Sequence, residues 1–388
     1  MWEAKRKLLD FLGEGGCVSG VCGASTVLVE GKPMRPCMTP QPSQHQAEIR
    51  SLSDEAISAA AEALKEGLLV AFPTETVYGL GADVFNGAAL ARIFEVKERP
   101  RFDPLIVHIA GIDALERVAD LAALDQVARE HVDALIQRLW PGPLTLILPK
   151  QPGIPDLATA GLPTVAVRFP DHPAAQQLIR RSSGAIAAPS ANRFGCLSPT
   201  RAEHVQEQLG DRIAMILDGG RTGIGVESTV LDLSSRRPRI LRPGGMSREC
   251  IEAVIGAVEV HAEPLQRSDK PESPCSPGQL KSHYAPKTAL TLHHREEMIA
   301  LPYGTSEGYL FFDGKSRDAW YRASKPGDAP WIRTLSETGN MTEAAANFFD
   351  LLHELDKSGC SVIRGEQAPE KGLGSAINDR LSRAAAAK

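Results

Sequence analysis

Residues 68–109 constrain the fold more tightly than any other part of the chain. Leu68-Leu-Val-Ala-Phe72 is a short apolar run that reads as a strand. Gly67 separates it from a helix-like segment, Asp54 to Glu66, with Ser51 and Asp54 at capping-box spacing. A turn begins at Pro73, where Thr74 and Thr76 offer hydroxyls and Gly79 and Gly81 allow φ > 0 and close backbone approach to a ligand. Asn86 is placed to cap a helix through Ala88, Ile93 and Phe94, whose end delivers Lys97 and Arg99 into a Pro-bounded loop that also carries Arg101. Leu105-Ile-Val-His108-Ile follows as a second strand. Strand, helix and strand in this order require a helix laid on a sheet, and their loops gather hydroxyls, cations and a histidine. Arg forks match phosphate oxygens in pairs and Lys acts as a point charge, so the collection has the composition of a phosphate site. Each piece alone has a structural reading: Gly-x-Gly as a turn, the three cations as a solvated charge run, His108 as a hydrogen-bonded core residue.

The alternation continues downstream. Leu124 to Arg138 reads as helix, Leu144 to Leu148 and Thr164 to Phe169 as strands, Gly184 to Ala188 as a small strand, Arg201 to Leu209 as helix, and Ala214 to Asp218 and Thr229 to Leu233 as strands. The expected fold class is α/β, a twisted mixed sheet flanked by helices. At 388 residues the chain exceeds what one core usually serves, so a second domain is expected. We divide it into a flexible extension (1–48), a catalytic domain (49–260), a Pro-rich linker (261–287) and a smaller C-terminal α/β, Rossmann-like domain (288–388). The last contains the strand Gly308-Tyr-Leu-Phe-Phe and a helix with Met341, Ala345, Phe348, Leu352 and Leu355 on one stripe, ended by Gly359. Gly372-Leu-Gly-Ser-Ala-Ile-Asn378-Asp-Arg380-Leu reads as a helix packing on this small sheet, with no chemistry assigned.

Several function classes are disfavoured. No apolar run reaches the length of a membrane span, and the N-terminal segment is too charged for a secretory apolar region, so the expected setting is cytoplasmic with no membrane contact. Seven cysteines without a Cys-x-x-Cys pair argue against a disulfide framework and a zinc ribbon, so no protein metal site is expected. A net charge of −5 provides no global basic field, so any contact with RNA is local or weak. An ATP site would draw cations and polar groups from Lys97, Arg99, Arg242, Ser190, Asn192 and Ser198. No run of Asp or Glu forms a metal cage, so Mg²⁺ is expected to travel on the phosphates and water. A small amino-acid co-substrate needs a cation and a side-chain partner, and Arg168 and His108 suit those roles beside Thr76 and Ser228.

From about residue 50 onward the chain resembles the YrdC-like threonylcarbamoyl-AMP synthases in their long form. The resemblance rests on Pro73-Thr-Glu-Thr-Val-Tyr-Gly-Leu-Gly81, Lys97-Glu-Arg-Pro100, Pro104-Leu-Ile-Val-His108, Trp140-Pro-Gly-Pro-Leu-Thr145, Thr164-Val-Ala-Val-Arg168, Pro189-Ser-Ala-Asn192 and His283-Tyr-Ala-Pro286, in that order. It implies a nucleotidyltransferase that takes L-threonine, bicarbonate and ATP to threonylcarbamoyl-AMP and pyrophosphate, the product passing to the machinery that modifies tRNA adenosine. It implies threonine contacts from Thr76, His108, Arg168, the backbone of Ala188, and Ser228. It implies ATP contacts from Arg99, Asp103, Thr164, Ser190, Ser198, Arg242 and Tyr284, with Lys97 near the phosphates and the linker folded over the pocket. Catalysis would then be positioning and charge stabilisation by Lys97 and Arg99 without a protein nucleophile.

Two positions depart from the family pattern: Glu98 stands where Gly is usual and Asp103 where Asn is usual. Asp103 brings a negative charge toward a triphosphate unless Arg99 or Arg101 pairs with it. The alternatives to the synthase are an RNA-binding module, with the arginines on a phosphate backbone, and the related domain of hydrogenase-maturing carbamoyltransferases, whose zinc modules this sequence lacks.

Overall fold

The computed structural model describes residues 46–260 and 284–386, apart from 236 and 328, and the backbone of two short ladders, Leu28–Val29 with Lys32–Pro33 and Gln266–Arg267 with Lys270–Pro274. The N-terminal extension and most of the linker therefore lie outside the described residues. Residues 1–45 form one unit and residues 46–388 another; the following concerns the second.

Its larger sheet has eleven strands. From edge to edge they are Glu259–Val260, Arg239–Arg242, Thr229–Asp232, Leu144–Pro149, Thr164–Arg168, Ile106–Ile109, Ala185–Ala187, Gly79–Asp83, Val70–Phe72, Met215–Asp218 and Glu48–Ser51. Parallel and antiparallel pairs mix, as expected for this α/β class. The strand at 70–72 is apolar without alternation because both its faces are covered. Leu69 and Ala71 join the cluster containing Leu90, Ile93, Leu135 and Val205, whereas Val70 and Phe72 join the one containing Ile57, Leu64, Leu178 and Leu217.

Two local readings are corrected by this packing. Gly79 and Gly81 lie in a strand rather than a turn, and neither has positive φ. A Cβ at Gly79 would sit 3.2 Å from the Phe72 ring, and one at Gly81 3.1 Å from it, so the ring crossing them disfavours a side chain at either position. The helix Asp54–Lys65 is capped by Ser53, which accepts from Ala56 N at 3.1 Å. Ser51 instead ends a strand paired with Met215–Asp218. The Asn86 cap forms as the spacing predicts, accepting from Ala88 N and Ala89 N. That helix, Gly87–Lys97, ends with Glu98 in the left-handed region at φ 55°, where glycine is favoured. Glu98 instead pairs with Arg212 at 2.7 Å and lies 3.7 Å from Arg193.

The C-terminal domain is a four-stranded parallel sheet in the order Ala289–His293, Val362–Glu366, Glu307–Asp313, Ile332–Ser336. Tyr309 and Phe311 pack on Met298 and Trp320 on one face, while Leu310 and Phe312 on the other meet the helices Met341–Lys357 and Gly374–Ala385. This second cluster also includes Val77, Leu197, Val226 and Tyr284, so one apolar core spans the junction with the larger domain. Gly225, at φ 77°, is pressed against the helix Met341–Lys357: a Cβ there would stand 2.3 Å from Ala345 O. Polar contacts border the junction, with Arg201 forked on Asp350 at 2.9 and 3.1 Å and His204 stacked on His353 at 3.8 Å.

Candidate active site

A cleft of about 540 Å³, its open mouth included, runs over the middle of the large sheet. Its wall takes residues from seven segments that are distant in sequence, among them Thr76, Arg99, His108, Arg168, Ala188, Ser190, Ser228, Arg242 and Tyr284. Nine of the residues singled out in the sequence thus meet in one place.

At one end the strands Ile106–Ile109 and Thr164–Arg168 run parallel with His108 paired to Arg168. Both side chains are buried. Burial, reinforced by the Arg168 charge, lowers His108 from its ordinary value to about 3, so the imidazole is neutral. Its Nδ1 lies 3.3 Å from Ile106 O. Arg168 Nε donates to Gly142 O at 3.4 Å, and Nη2 stands 2.6 Å from the Glu75 carboxylate. Gly142 belongs to the Trp140-Pro-Gly-Pro loop, which is anchored by Trp140 Nε1 donating to Leu144 O at 2.8 Å. Thr74 Oγ1 donates to Val77 O at 2.6 Å and lies 2.8 Å from Thr76 Oγ1, which fixes the hydroxyl turn. Ser228 Oγ lies 2.7 Å from Thr145 Oγ1 on the adjacent strand.

Toward the other end Arg99 and Arg242 are both less than a tenth exposed. Arg99 forms an ion pair with Asp103 at 2.9 Å and donates to Pro104 O at 2.8 Å. The Asp103 charge is therefore matched within its own loop, and Asp103 does not line the cleft. Arg242 Nη2 donates to Ser228 O at 2.8 Å and to Ser228 Oγ at 3.2 Å. Tyr284, near the end of the linker, is 2% exposed and lines the wall.

Four further candidates, Lys97, Asn192, Ser198 and Thr164, stand outside the lining. Lys97 turns inward from the last helical turn, 1% exposed, and its Nζ donates to Ser190 O at 2.7 Å and to Asn192 O. Burial, then the charge of Arg99, pushes its amine well below its ordinary value. Asn192 Nδ2 donates to Arg193 O and Cys196 O at 2.7 and 2.9 Å, so Lys97 and Asn192 together brace the Pro-Ser-Ala-Asn turn from behind. Ser198 Oγ donates to Glu227 at 2.5 Å. Thr164, half-buried, opens its strand opposite Pro149.

Sequence reasoning missed three charged residues. Glu75 sits inside a quoted motif and Glu227 immediately precedes the assigned Ser228, and only the fold shows that they face arginines. Arg380, in the segment given no chemistry, is fully buried against Glu227 at 2.8 Å. Nothing in the spacing of that segment separates a buried arginine from a solvated one.

Two family models match the chain: one described as "Telomere recombination" over residues 62–244, and one described as "Threonylcarbamoyl-AMP synthase, C-terminal domain" over residues 246–386. Threonylcarbamoyl-AMP synthase of Bacillus subtilis is 45% identical over 340 residues, spanning 86% of this chain and 94% of the relative. The Pyrococcus abyssi synthase is 42% identical, spanning 84% of this chain and 93% of its own. The crystal structure of P. abyssi Sua5 complexed with L-threonine superposes with a TM-score of 0.76 at 39% identity, covering 88% of this chain and 97% of that one.

Proposed function

The chain belongs to the threonylcarbamoyl-AMP synthase family, as a long-form member with its own C-terminal domain, and we propose how its cleft carries out the family's reaction. The enzyme makes threonylcarbamoyl-AMP, a nucleotidyl transfer that serves the threonylcarbamoyl modification of tRNA adenosine. In our reading its substrates are L-threonine, bicarbonate and ATP, and pyrophosphate leaves.

Threonine occupies the end built by Thr76, His108, Arg168, the Ala188 backbone and Ser228. Its carboxylate sits on Arg168, which it shares with Glu75, and its hydroxyl meets the neutral His108 imidazole, which can donate or accept. ATP occupies the end with Arg99, Ser190, Arg242 and Tyr284. An oxygen of the carbamate formed on the threonine nitrogen attacks the α-phosphorus; the new P–O bond forms as the bond to the leaving pyrophosphate breaks. Buried cations beside a narrow cleft stabilise charge that develops there more than solvated ones would, so Arg99 and Arg242 supply electrostatic stabilisation. Lys97 supports the turn that carries Ser190.

Among the described residues no three His, Cys, Asp or Glu side chains gather as a metal cage. The carboxylates beside the cleft arginines, Glu75, Asp103 and Glu227, face Arg168, Arg99 and Arg380. Mg²⁺ therefore fits this site as an ion carried in by the triphosphate, neutralising its charge. No described helix is long and apolar enough to cross a membrane, and we place the enzyme in the cytoplasm, handing its product to the tRNA-modifying transferase.

The register pair His108–Arg168, lining the same cleft as Arg99, Arg242 and Tyr284, carries this assignment. The test is pyrophosphate release at fixed Mg²⁺ with each amino acid in turn. Release that requires both threonine and bicarbonate is expected. Release with neither, or none while ATP still binds, would contradict it and favour an RNA-binding role.

A further inference from the structure

Among the contacts by which the C-terminal domain meets the cleft wall, one is a buried charge. Arg380, on the helix Gly374–Ala385, has no exposed surface. Its Nε donates to Glu227 Oε2 at 2.8 Å, and its Nη1 donates to Pro243 O at 2.9 Å and to Asp379 at 2.6 Å. Its guanidinium carbon lies 5.0 Å from the centroid of the Tyr284 ring, within cation–π range. The other Glu227 oxygen accepts from Ser198 Oγ, and the next residue is Ser228. Two residues before Glu227, Gly225 is seated against the backbone of Ala345 and Ala346. The 225–228 turn is thus gripped by the C-terminal domain at two points.

Glu227 lines a cleft that must admit a triphosphate and an amino-acid carboxylate. An unmatched carboxylate there would repel both. We propose that Arg380 is a positioning residue of the active site: it neutralises Glu227, seats the Tyr284 ring and thereby holds the Glu227–Ser228 segment in the geometry that receives threonine. The inference rests on the synthase reading above. It explains why an arginine on a helix of a separate domain is buried without solvent contact, which costs more than a surface ion pair and is sustained only by close partners.

Removal of Arg380 strands Glu227. Burial alone raises the Glu227 carboxyl, and Arg380 and Arg242 together hold it below the ordinary carboxylate range. The groups that face it are Arg380, with Asp379 behind it, from the C-terminal helix, Arg242 from the strand Arg239–Arg242, and Tyr284. Without Arg380 its titration moves upward, with Arg242 and Ser198 still opposing the effect of burial.

The experiment uses full-length wild type, Arg380→Met, Arg380→Lys and the double variant Glu227→Gln/Arg380→Met, with pyrophosphate release followed against threonine concentration and pH. For Arg380→Met we expect a KM for threonine raised about tenfold or more. We also expect the Glu227 ionisation to move upward into the activity profile, with threonine used better as Glu227 protonates. The double variant should lose that ionisation, and Arg380→Lys, which keeps the charge without the fork, should show a smaller rise in KM with the wild-type pH profile. If Arg380→Met does not fold, the Lys variant carries the test, and a wild-type KM in it overturns the proposal. So does an ionisation that survives in the double variant. Absence of threonine-dependent turnover in wild type would instead sink the synthase reading itself.

Discussion

The cleft and the carboxyl edge of the C-terminal sheet both concentrate buried charge, and they use it in opposite ways. In open α/β sheets ligands commonly enter at the carboxyl ends of the strands, where this domain places Asp313, Ser336 and Glu366. Here the protein's own groups fill that edge. Ser316 Oγ donates to Asp313 at 2.9 Å and to Glu366 at 2.7 Å, Phe312 N donates to Glu366 at 2.8 Å, and Arg295 reaches Glu366 at 3.0 Å and also Asp313. In the cleft, by contrast, Arg99 and Arg168 each meet one carboxylate, Asp103 and Glu75, and also donate to main-chain carbonyls, Arg242 donates to Ser228 O, and space remains beside all three. A cation that still borders open space can take a further ligand, whereas one enclosed by the protein's own carboxylates cannot. That difference separates a binding site from a structural cluster more reliably than charge or burial alone.

The sharpest way to break the comparison is Arg168→Ala. Loss of a charge-assisted contact to a substrate carboxylate is worth about 1.5–3 kcal/mol, so kcat/KM for threonine should fall on the order of a hundredfold. ATP affinity, measured by calorimetry, should change little. Equal losses for both substrates would remove Arg168 from the threonine end.

Lys97→Met separates support from catalysis. It leaves the carbonyls of Ser190 and Asn192 without their donor, while sparing the cost of burying an amine, for a net loss of about 2 kcal/mol in unfolding free energy. The KM for ATP should rise as the turn loosens. A drop in kcat at saturating ATP with unchanged stability would put the amine on the phosphates instead.

His108→Gln tests the neutral imidazole through pH. The unfolded chain takes up a proton as pH falls through about 6.5, while the folded protein stays unprotonated down to about 3, so acid destabilises the native state in that window. The stability advantage of wild type over the variant should shrink by about 1 kcal/mol between about pH 7 and 5.5. A gap that is constant in denaturation midpoints would mean that His108 is not held neutral.

How much of this was legible beforehand depends on how local the determinant was. The Asn86 cap, the apolar strands and the stripe of the helix Met341–Lys357 follow from short-range chemistry, and they stand where the pattern puts them. The cleft residues were legible because whole motifs carry them. Burial was not: Lys97 and Arg101 share one basic run, yet one is sealed under a turn and the other exposed. Gly79 and Gly81 were misread because the preference for glycine comes from Phe72 on the neighbouring strand. Arg380 was illegible for the same reason, its partner Glu227 lying on another domain.

Glu366→Gln gives the smallest expected effect and tests the other half of the comparison. Burial raises the Glu366 carboxyl above its ordinary value despite Ser316, Phe312 and Arg295. The folded state then holds that proton more tightly than the unfolded one, so its stabilising contribution is present below the ordinary carboxylate pKa and is lost as pH rises through the raised value. An amide keeps an acceptor for Ser316 and Phe312 while removing the buried charge. Unfolding free energy at neutral pH should therefore stay within about 1 kcal/mol of wild type. That pH slope should vanish, and threonine-dependent turnover should be unchanged. A filled edge tolerates this loss of charge because no ligand depends on it; a large fall in turnover would mean that the edge communicates with the cleft, and that its carboxylates do more than saturate one another.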